Sequence, residues 1–521
     1  MKSARAVPAR SRSIAIGMRA AGAMALAAVL SSCTLFGAGD SGAQNPSTPN
    51  PEIASAAPAE LRSYYTQKVV WSACEADLEC ARIKVPLDYG KPDGDSIEIA
   101  ALKLATKGNS KGSLLINPGG PGGSGYDFVR DAGATHFSDK LRANFDVVGF
   151  DPRGVKRSAP VTCLTDEERD ASRAKIYDLD TDAGLAEALT DNQVIAAKCE
   201  EKTGPVLGQV DTESSAKDLD ILRAALNDTK LNYMGFSYGT FLGSTYASLF
   251  PDNVGAMVLD GAMDPSLSYE ELTSGQAKAF EKALRAYVEN CLQSDGCPLS
   301  GGVDDGIQQI RDLIAAVEAN PLRANDGRMV SASTLVTGMI VPLYNDANWP
   351  LLTQALGAAL KNDPSPFLRL ADFNAEREPN GSYSSNSTFA FSAINCLDYP
   401  MVTDTAGMRA DDQQLRLDSP TFGKYFAYGG TNCRDWPYQN VRTPAPVEYT
   451  GATDILVIGT TGDPATPVEW ASELRKQLGN ASLLTLQGEG HTAYGRSNVC
   501  IGNAVDGYLV EGKTPADNTV C

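Results

Sequence analysis

The stretch Leu231-Asn232-Tyr233-Met234-Gly235-Phe236-Ser237-Tyr238-Gly239-Thr240 runs a short apolar segment into Gly-x-Ser-x-Gly, and a helix-like stretch, Phe241 to Phe250, follows. This is the pattern of a nucleophile elbow. The turn from strand to helix is so tight that the positions two before and two after the serine, Gly235 and Gly239, must lack bulky side chains. The strain lifts the Ser237 hydroxyl clear of the sheet and points a helix N-terminus at it. Gly-x-Ser-x-Gly alone is weak, so its reading depends on what lies around it.

Working outward, further apolar runs mark strands. Gly112 to Asn117 ends in Pro118-Gly119-Gly120-Pro121-Gly122-Gly123-Ser124-Gly125, and Phe145 to Phe150 is closed by Asp151-Pro152-Arg153-Gly154. Ser214 to Leu226 reads as an amphipathic helix feeding the elbow strand. Val254 to Asp260, Asp454 to Gly459 and Ser482 to Leu486 continue the series, and Ala81 to Leu87 with Ser96 to Ala105 reads as an opening antiparallel pair. Buried strands alternating with helices predict an α/β fold of the α/β-hydrolase kind, with a mostly parallel sheet covered on both faces. Between Gly261 and Thr450 the strand rhythm stops. Those residues read as a large, mainly helical cap inserted between strands 6 and 7, above the strand C-termini. The chain then divides into core residues 61–260, cap 261–450 and core 451–521. A polar excursion spans Cys163 to Cys199.

The N-terminus differs in kind. Lys2, Arg5, Arg10, Arg12 and Arg19 precede an apolar run, Ala20 to Leu30, and then Leu30-Ser31-Ser32-Cys33. This has the regions of an export signal over residues 1–32, and its apolar run is too short for a spanning helix. Leu-Ser-Ser-Cys resembles a lipobox, which predicts lipidation of Cys33, a membrane anchor and a Gly/Ala/Ser/Pro-rich tether over 33–60. Removing residues 1–32 with their five basic side chains takes the net charge from −19 to −24. Such an acidic chain is a poor partner for nucleic acid. Of the 11 cysteines, ten besides Cys33 fall into local pairs. Cys74/Cys80, Cys163/Cys199, Cys291/Cys297, Cys396/Cys433 and Cys500/Cys521 read as five disulfides in an oxidising compartment. Neither histidine lies at zinc-ligand spacing from a cysteine pair, so no metal is expected.

An elbow serine needs a base, and the chain offers only His136 and His491. His136 lies in a polar helix-like stretch and reads as a surface residue. His491 follows Leu483-Leu484-Thr485-Leu486-Gln487-Gly488-Glu489-Gly490, a strand running into a Gly-rich loop. Asp463 closes the preceding strand, Ile455 to Gly459 with Thr460-Thr461-Gly462, and suits the acid that orients the imidazole. The order Ser, Asp, His agrees with this fold. Thr466-Pro467-Val468-Glu469 has the form of a capping box, which makes Thr466 an N-cap close enough to the triad for a secondary role. Oxyanion donors are expected from the N–H groups of Tyr238 and of Gly120 in the Gly-rich loop. That loop also satisfies G-x-G-x-x-G, but its two prolines suit a rigid turn better than a pyrophosphate cradle. No nucleotide or other cofactor is expected.

Taken together, Asn117-Pro118-Gly119-Gly120-Pro121-Gly122, the Asp-Pro-Arg-Gly at 151–154, the Gly-Phe-Ser-Tyr-Gly elbow, Gly-Asp-Pro-Ala-Thr-Pro at 462–467 and Gly490-His491 resemble the secreted tripeptidyl aminopeptidases of actinobacteria. These are relatives of proline iminopeptidases and, closest in pattern, of mycobacterial cell-envelope lipoprotein serine proteases of the carboxylesterase A type. Pro118 stands where proline iminopeptidases have the His of His-Gly-Gly-Pro-Gly. The resemblance implies an extracytoplasmic serine peptidase acting on peptide or protein substrates near a free N-terminus, with an esterase or lipase as the rival reading. It also implies cap carboxylates that bind the substrate ammonium. Asp398, in Ala393-Ile394-Asn395-Cys396-Leu397-Asp398, is the first candidate, followed by Glu270 and Glu271.

Overall fold

The computed structural model describes residues 50–521, so the signal segment, Cys33 and residues 33–49 of the tether lie outside the described residues. Twelve strands are formed among the described residues: β1 Ser72–Glu75, β2 Leu78–Pro86, β3 Ser96–Leu104, β4 Ser113–Asn117, β5 Asp146–Phe150, β6 Leu231–Phe236, β7 Val254–Asp260, β8 Leu322–Arg323, β9 Met329–Val330, β10 Ile455–Gly462, β11 Ala481–Glu489 and β12 Thr519–Val520. Ten of them make one sheet in the order β1-β2-β3-β5-β4-β6-β7-β10-β11-β12, and β8 pairs with β9 alone. The ladders from β1 to β5 are antiparallel, and every ladder from β5 through β12 is parallel.

The central strands are buried on both faces, which is why they read as continuous apolar runs rather than alternating ones. All five residues of β4 are buried. On one face, helices Thr212–Ala225, Tyr238–Leu249 and Val468–Leu478 supply Leu219, Phe241 and Leu474 to an apolar core. On the other, Gly125–His136 and Val499–Glu511 supply Val129, Ile501 and Val505. Close approach explains two glycines of the elbow. A Cβ on Gly235 would stand 2.3 Å from the Gly239 carbonyl oxygen, and one on Gly239 would stand 2.7 Å from that of Asn117.

Between β7 and β10 lies the insertion, with helices including Tyr269–Leu292, Val303–Ala319, Ala332–Leu343, Trp349–Ala359, Ser387–Asp398 and Thr405–Asp418. It has its own apolar core around Phe280, Leu284, Leu335 and Leu352. The added strand β1 shifts the count, so the insertion follows the seventh strand of the main sheet rather than the sixth. The β8–β9 hairpin is a small exception to its helical character.

Two boundaries differ from expectation. Order begins before Leu61: Pro51–Ala56 is a helix capped by Asn50, whose N–H donates to Asn227 Oδ1 at 2.7 Å. Ile53 and Ala57 are buried in the main core, so apolar anchors hidden in a Pro/Ala-rich stretch fix this part of the tether. The excursion after Cys163 also holds two helices, Asp166–Arg173 and Asp182–Thr203.

The ten cysteines pair as Cys74–Cys80, Cys163–Cys199, Cys291–Cys297, Cys396–Cys433 and Cys500–Cys521. Arg153 of the Asp-Pro-Arg-Gly stretch is fully buried. It holds Asp218 through Nε at 2.7 Å and Nη2 at 2.6 Å, and also donates to the carbonyls of Pro86, Leu87 and Gln209. That motif is thus a structural tie between β2, the β5 loop and the helix preceding the elbow. Breaking such a pair would strand a buried charge. Among the described residues no helix is long and apolar enough to cross a membrane, and no group of side chains could hold a metal ion.

Candidate active site

Ser237 occupies the elbow with φ 55° and ψ −123°, a conformation that only a strongly over-determined turn imposes on a residue with a Cβ. Its N–H donates to the Asp260 carbonyl at 2.9 Å, and its own carbonyl receives the Thr240 N–H at 2.8 Å. These bonds peg the turn between β7 and the helix Tyr238–Leu249. Among the described residues the Ser237 hydroxyl makes no hydrogen bond, and it faces a cavity of about 540 Å³.

His491 and Asp463 are brought together by the parallel pairing of β10 and β11. Nδ1 of His491 lies 2.9 Å from both Asp463 carboxylate oxygens. That contact puts the imidazole proton on Nδ1 and leaves the Nε2 lone pair free to accept one. Asp463 is buried, and its carboxylate is also reached by the N–H groups of Ala465 at 2.9 Å, Thr466 at 2.8 Å and Thr492 at 3.1 Å. Burial pushes its pKa up, but His491 and these N–H donors outweigh burial and hold the group below the ordinary carboxylate value.

Thr466 is not an N-cap. The helix it precedes is Val468–Leu478, whose cap position is Pro467. The Thr466 hydroxyl instead donates to Asp463 Oδ2 at 3.1 Å and lies 3.3 Å from His491 Nδ1. The tight turn after Asp463 draws Thr466 inward, where a charged acceptor outcompetes a helix N-terminus.

The Gly-rich loop passes close to the elbow. A Cβ on Gly119 would stand 2.9 Å from Ser237 Cβ and 3.2 Å from the Tyr238 nitrogen, so glycine is required there. The Gly119 N–H is taken by Asn117 Oδ1 at 2.9 Å. Gly120 (φ 112°) and Tyr238 both line the cavity, and neither N–H donates to a loop or side-chain acceptor among the described residues. They are the two free donors beside Ser237.

Two supports for His491 lie outside the motifs. Asp260, at the end of β7, accepts from the N–H groups of Ala493 at 2.9 Å and Tyr494 at 2.8 Å and so fixes the loop after the histidine. Burial pushes its pKa up to about 6, with the N–H groups and His491 opposing the rise. Tyr344, from the cap, accepts the His491 N–H on its carbonyl at 2.7 Å and sets its ring edge-on to the imidazole at 5.4 Å. Asp260 had a legible signal, an acid at a strand end. Nothing local marks Tyr344.

The cavity walls come from the cap and from the 163–203 excursion. They include Tyr177, Tyr269, Tyr344, Tyr399, Tyr425 and Tyr428, with Phe391 and Phe426, and hold no carboxylate. Asp398 is therefore not an ammonium ligand facing the serine. It is 1% exposed, and its two oxygens accept from the Thr212 N–H at 2.9 Å and the Thr212 hydroxyl at 2.5 Å. Burial, countered by those two bonds, pushes its pKa up to about 7. The same hydroxyl meets Tyr238 Oη at 2.5 Å, so Asp398 braces the residue after the nucleophile. Glu271 is exposed, caps its helix by accepting the Ser268 N–H at 2.9 Å, and lines the same recess as Glu270. Glu270 accepts the Val402 N–H at 2.9 Å and lines a recess of about 260 Å³ with Asp411. That recess shares Tyr269, Thr273, Phe426, Tyr428 and Gly429 with the main cavity.

His136 is half-buried rather than exposed. Its ring is packed edge-on among Phe128, Phe137, Phe236 and Tyr494, and its Nε2 is buried without a partner. Burial pushes its pKa down to about 4. It belongs to the far face of the sheet and leaves His491, which Thr466 of the cavity lining touches, as the remaining imidazole.

The geometry agrees with comparisons to known proteins. Residues 112–302 match the family model described as alpha/beta hydrolase fold, and residues 419–521 match the one described as TAP-like protein. The chain is 36% identical over 477 residues to serine protease Hip1 of Mycobacterium tuberculosis, covering 87% of this chain and 91% of that one. It is 34% identical over 467 residues to carboxylesterase B of the same organism (87% and 89%). It is 30% identical over 468 residues to the tripeptidyl aminopeptidase of Streptomyces lividans (87% and 86%).

Proposed function

This chain belongs to the TAP-like α/β-hydrolases, and on that premise we propose that it is an exported serine peptidase that releases short peptides from free N-termini. The observation that carries the reading is the contact of His491 Nδ1 with Asp463, joined through Thr466 to the cavity that the strained Ser237 lines. Ser237 Oγ attacks the substrate carbonyl as Nε2 of His491 takes its proton. Asp463 stabilises the resulting imidazolium. The N–H groups of Gly120 and Tyr238 hold the oxyanion. Collapse of the intermediate breaks the C–N bond, and His491 returns the proton to the leaving amine. Water, activated by the same imidazole, then releases the acyl group from Ser237.

The ammonium subsite of this proposal is the recess at Glu270 and Asp411. Neither carboxylate has an ion-pair partner among the described residues, and burial with the nearby Glu270 charge raises the Asp411 pKa. A cation placed there would relieve that repulsion. Lipidation at Cys33 and attachment to the outer face of the cell membrane complete the proposal. They rest on the export signal, the lipobox and five disulfides that suit an oxidising compartment.

The similarity to carboxylesterase B keeps ester hydrolysis as the second reading, because the chemistry is shared and the cap selects the substrate. A panel of peptide amides with free and acetylated N-termini, beside short acyl esters, tests the assignment. Cleavage of free-N-terminus peptides that acetylation abolishes is expected. Ester cleavage with no peptide turnover would overturn it. Glu270→Gln is expected to raise KM about 10-fold for free-N-terminus peptides while leaving ester turnover alone, the scale of one charge-assisted contact.

A further inference from the structure

A second hollow of about 190 Å³ adjoins the cavity above Ser237. Asn192 and Asn432 line both, so the two spaces share a wall. The chemistry of this hollow is opposite to that of the Glu270 recess. Arg169 forms part of its lining and is only 8% exposed. One Nη donates to the Ser385 carbonyl at 2.8 Å, and the guanidinium stacks on Tyr383 at 3.7 Å and against Phe389 at 5.2 Å. No carboxylate among the described residues lies within ion-pair distance of it. Asp166, one turn earlier on the same helix, is engaged instead by the Tyr383 N–H at 3.3 Å. The neighbouring Arg173 is a contrast, since it pairs with Asp372 at 3.0 Å.

Trp436 lines the same hollow, is 8% exposed, and its indole Nε1–H is buried without an acceptor. Ser172, Thr388 and Ser392 add hydroxyls. A buried guanidinium without a counterion is costly, and an unsatisfied buried N–H adds to that cost. Finding such a guanidinium in the lining of a hollow, in a chain of net charge −19, marks a place suited to an anion. A planar carboxylate suits the part of the Arg169 fork that the Ser385 carbonyl leaves free.

We infer that this hollow is a specificity subsite that takes a carboxylate of the bound peptide, with Arg169 as its cation. The occupant is an acidic side chain or the peptide's C-terminal carboxylate, brought in past Asn192 and Asn432 while the scissile carbonyl sits at Ser237. The site rests on the peptidase reading and extends it. A substrate that offers the Glu270 recess its ammonium and this hollow its carboxylate would be held at two charged points.

The test compares kcat/KM for peptides with a free N-terminus in which one Glu, or the isosteric Gln, is walked along an alanine scaffold, each made as C-terminal acid and amide. Wild type is expected to favour the carboxylate form about 10-fold at one position, the scale of a desolvated charge-assisted pair. A Glu-over-Gln preference identifies a side chain, and an acid-over-amide preference identifies the C-terminus. Arg169→Gln is expected to erase the preference and leave turnover of neutral peptide amides within about two-fold, whereas Arg169→Lys retains part of it. Equal rates for carboxylate and neutral forms in wild type, with neutral peptides well cleaved, would overturn this inference alone. A preference unchanged in Arg169→Gln would do the same. Turnover of esters without any peptide would remove the peptidase reading and this subsite with it.

Discussion

Thr466 sits where two demands meet, and the charged one wins. Its hydroxyl lies between Asp463 Oδ2 and His491 Nδ1, so it helps hold the carboxylate in the plane of the imidazole. Thr466→Val keeps the shape and removes the donor, and kcat is expected to fall about 10-fold with KM little changed, in line with the loss of a hydrogen bond to a charged group. Asp463→Asn is expected to cost about 10⁴ in kcat while leaving the fold intact, because an amide there favours the wrong tautomer. Ser237→Ala should leave no turnover above the residual level that binding and oxyanion donors provide, and steady-state kinetics of the three variants checks the set. The three positions proposed as a triad stand out in the sequence because each closes a strand in a Gly-rich turn. Thr466 was misread because Thr-Pro-Val-Glu is an equally good capping box, and only the path of the turn after Asp463 decides between the two.

At the scale of single elements, the loop from Pro118 to Gly125 and the helix that follows carry separate consequences. Gly120 holds φ 112°, and a Cβ there would meet the Gly122 and Gly123 nitrogens at 3.0 Å. Gly120→Ala is therefore expected to displace one of the two proposed oxyanion donors and lower kcat by about 10²–10³. At the other end of the helix Gly125–His136, the imidazole is caged by rings. Its folded pKa of about 4 lies below the unfolded value of about 6.5. The unfolded chain therefore binds the proton first, so the contribution is present in full above pH 6.5 and is lost as pH falls toward 4. The loss amounts to about 3 kcal/mol by pH 4. Denaturant unfolding at pH 7 and pH 4.5 should show a steeper fall for wild type than for His136→Phe, and equal falls would remove His136 as the cause. The polar neighbours of His136 in the chain suggest a surface, because three of the four rings that cage it come from Phe128, Phe236 and Tyr494, none adjacent to it in sequence.

For the whole molecule, what was legible was the sheet. A strand buried on both faces imprints itself as a run of apolar residues, as β4 and β10 do. The roof was legible only as an interruption. Its contribution to the site comes through single residues spread over more than 250 positions, from Tyr177 to Asn432, and no local pattern ties them together. Asp398 shows the difficulty. An acid in the cap suggested a ligand for substrate, yet tertiary packing turned it away from the cavity and onto Thr212. The Cys396–Cys433 disulfide joins two walls of the cavity, the helix Ser387–Asp398 and the segment that contributes Tyr428, Thr431 and Asn432. Replacing both cysteines by serine is expected to lower stability by about 4 kcal/mol from the loop closed. It should also raise KM for peptides more than for a small ester, since the ester needs less of the roof. Thermal unfolding and paired kinetics would separate the two effects.

One bond crosses from roof to core where it matters most, the Tyr344 carbonyl receiving the His491 N–H. For protein engineering this means that the roof is not an interchangeable attachment. A chimaera that grafts a relative's cap onto this sheet must offer a carbonyl at the same point, or it will alter the aim of the imidazole along with the choice of substrate.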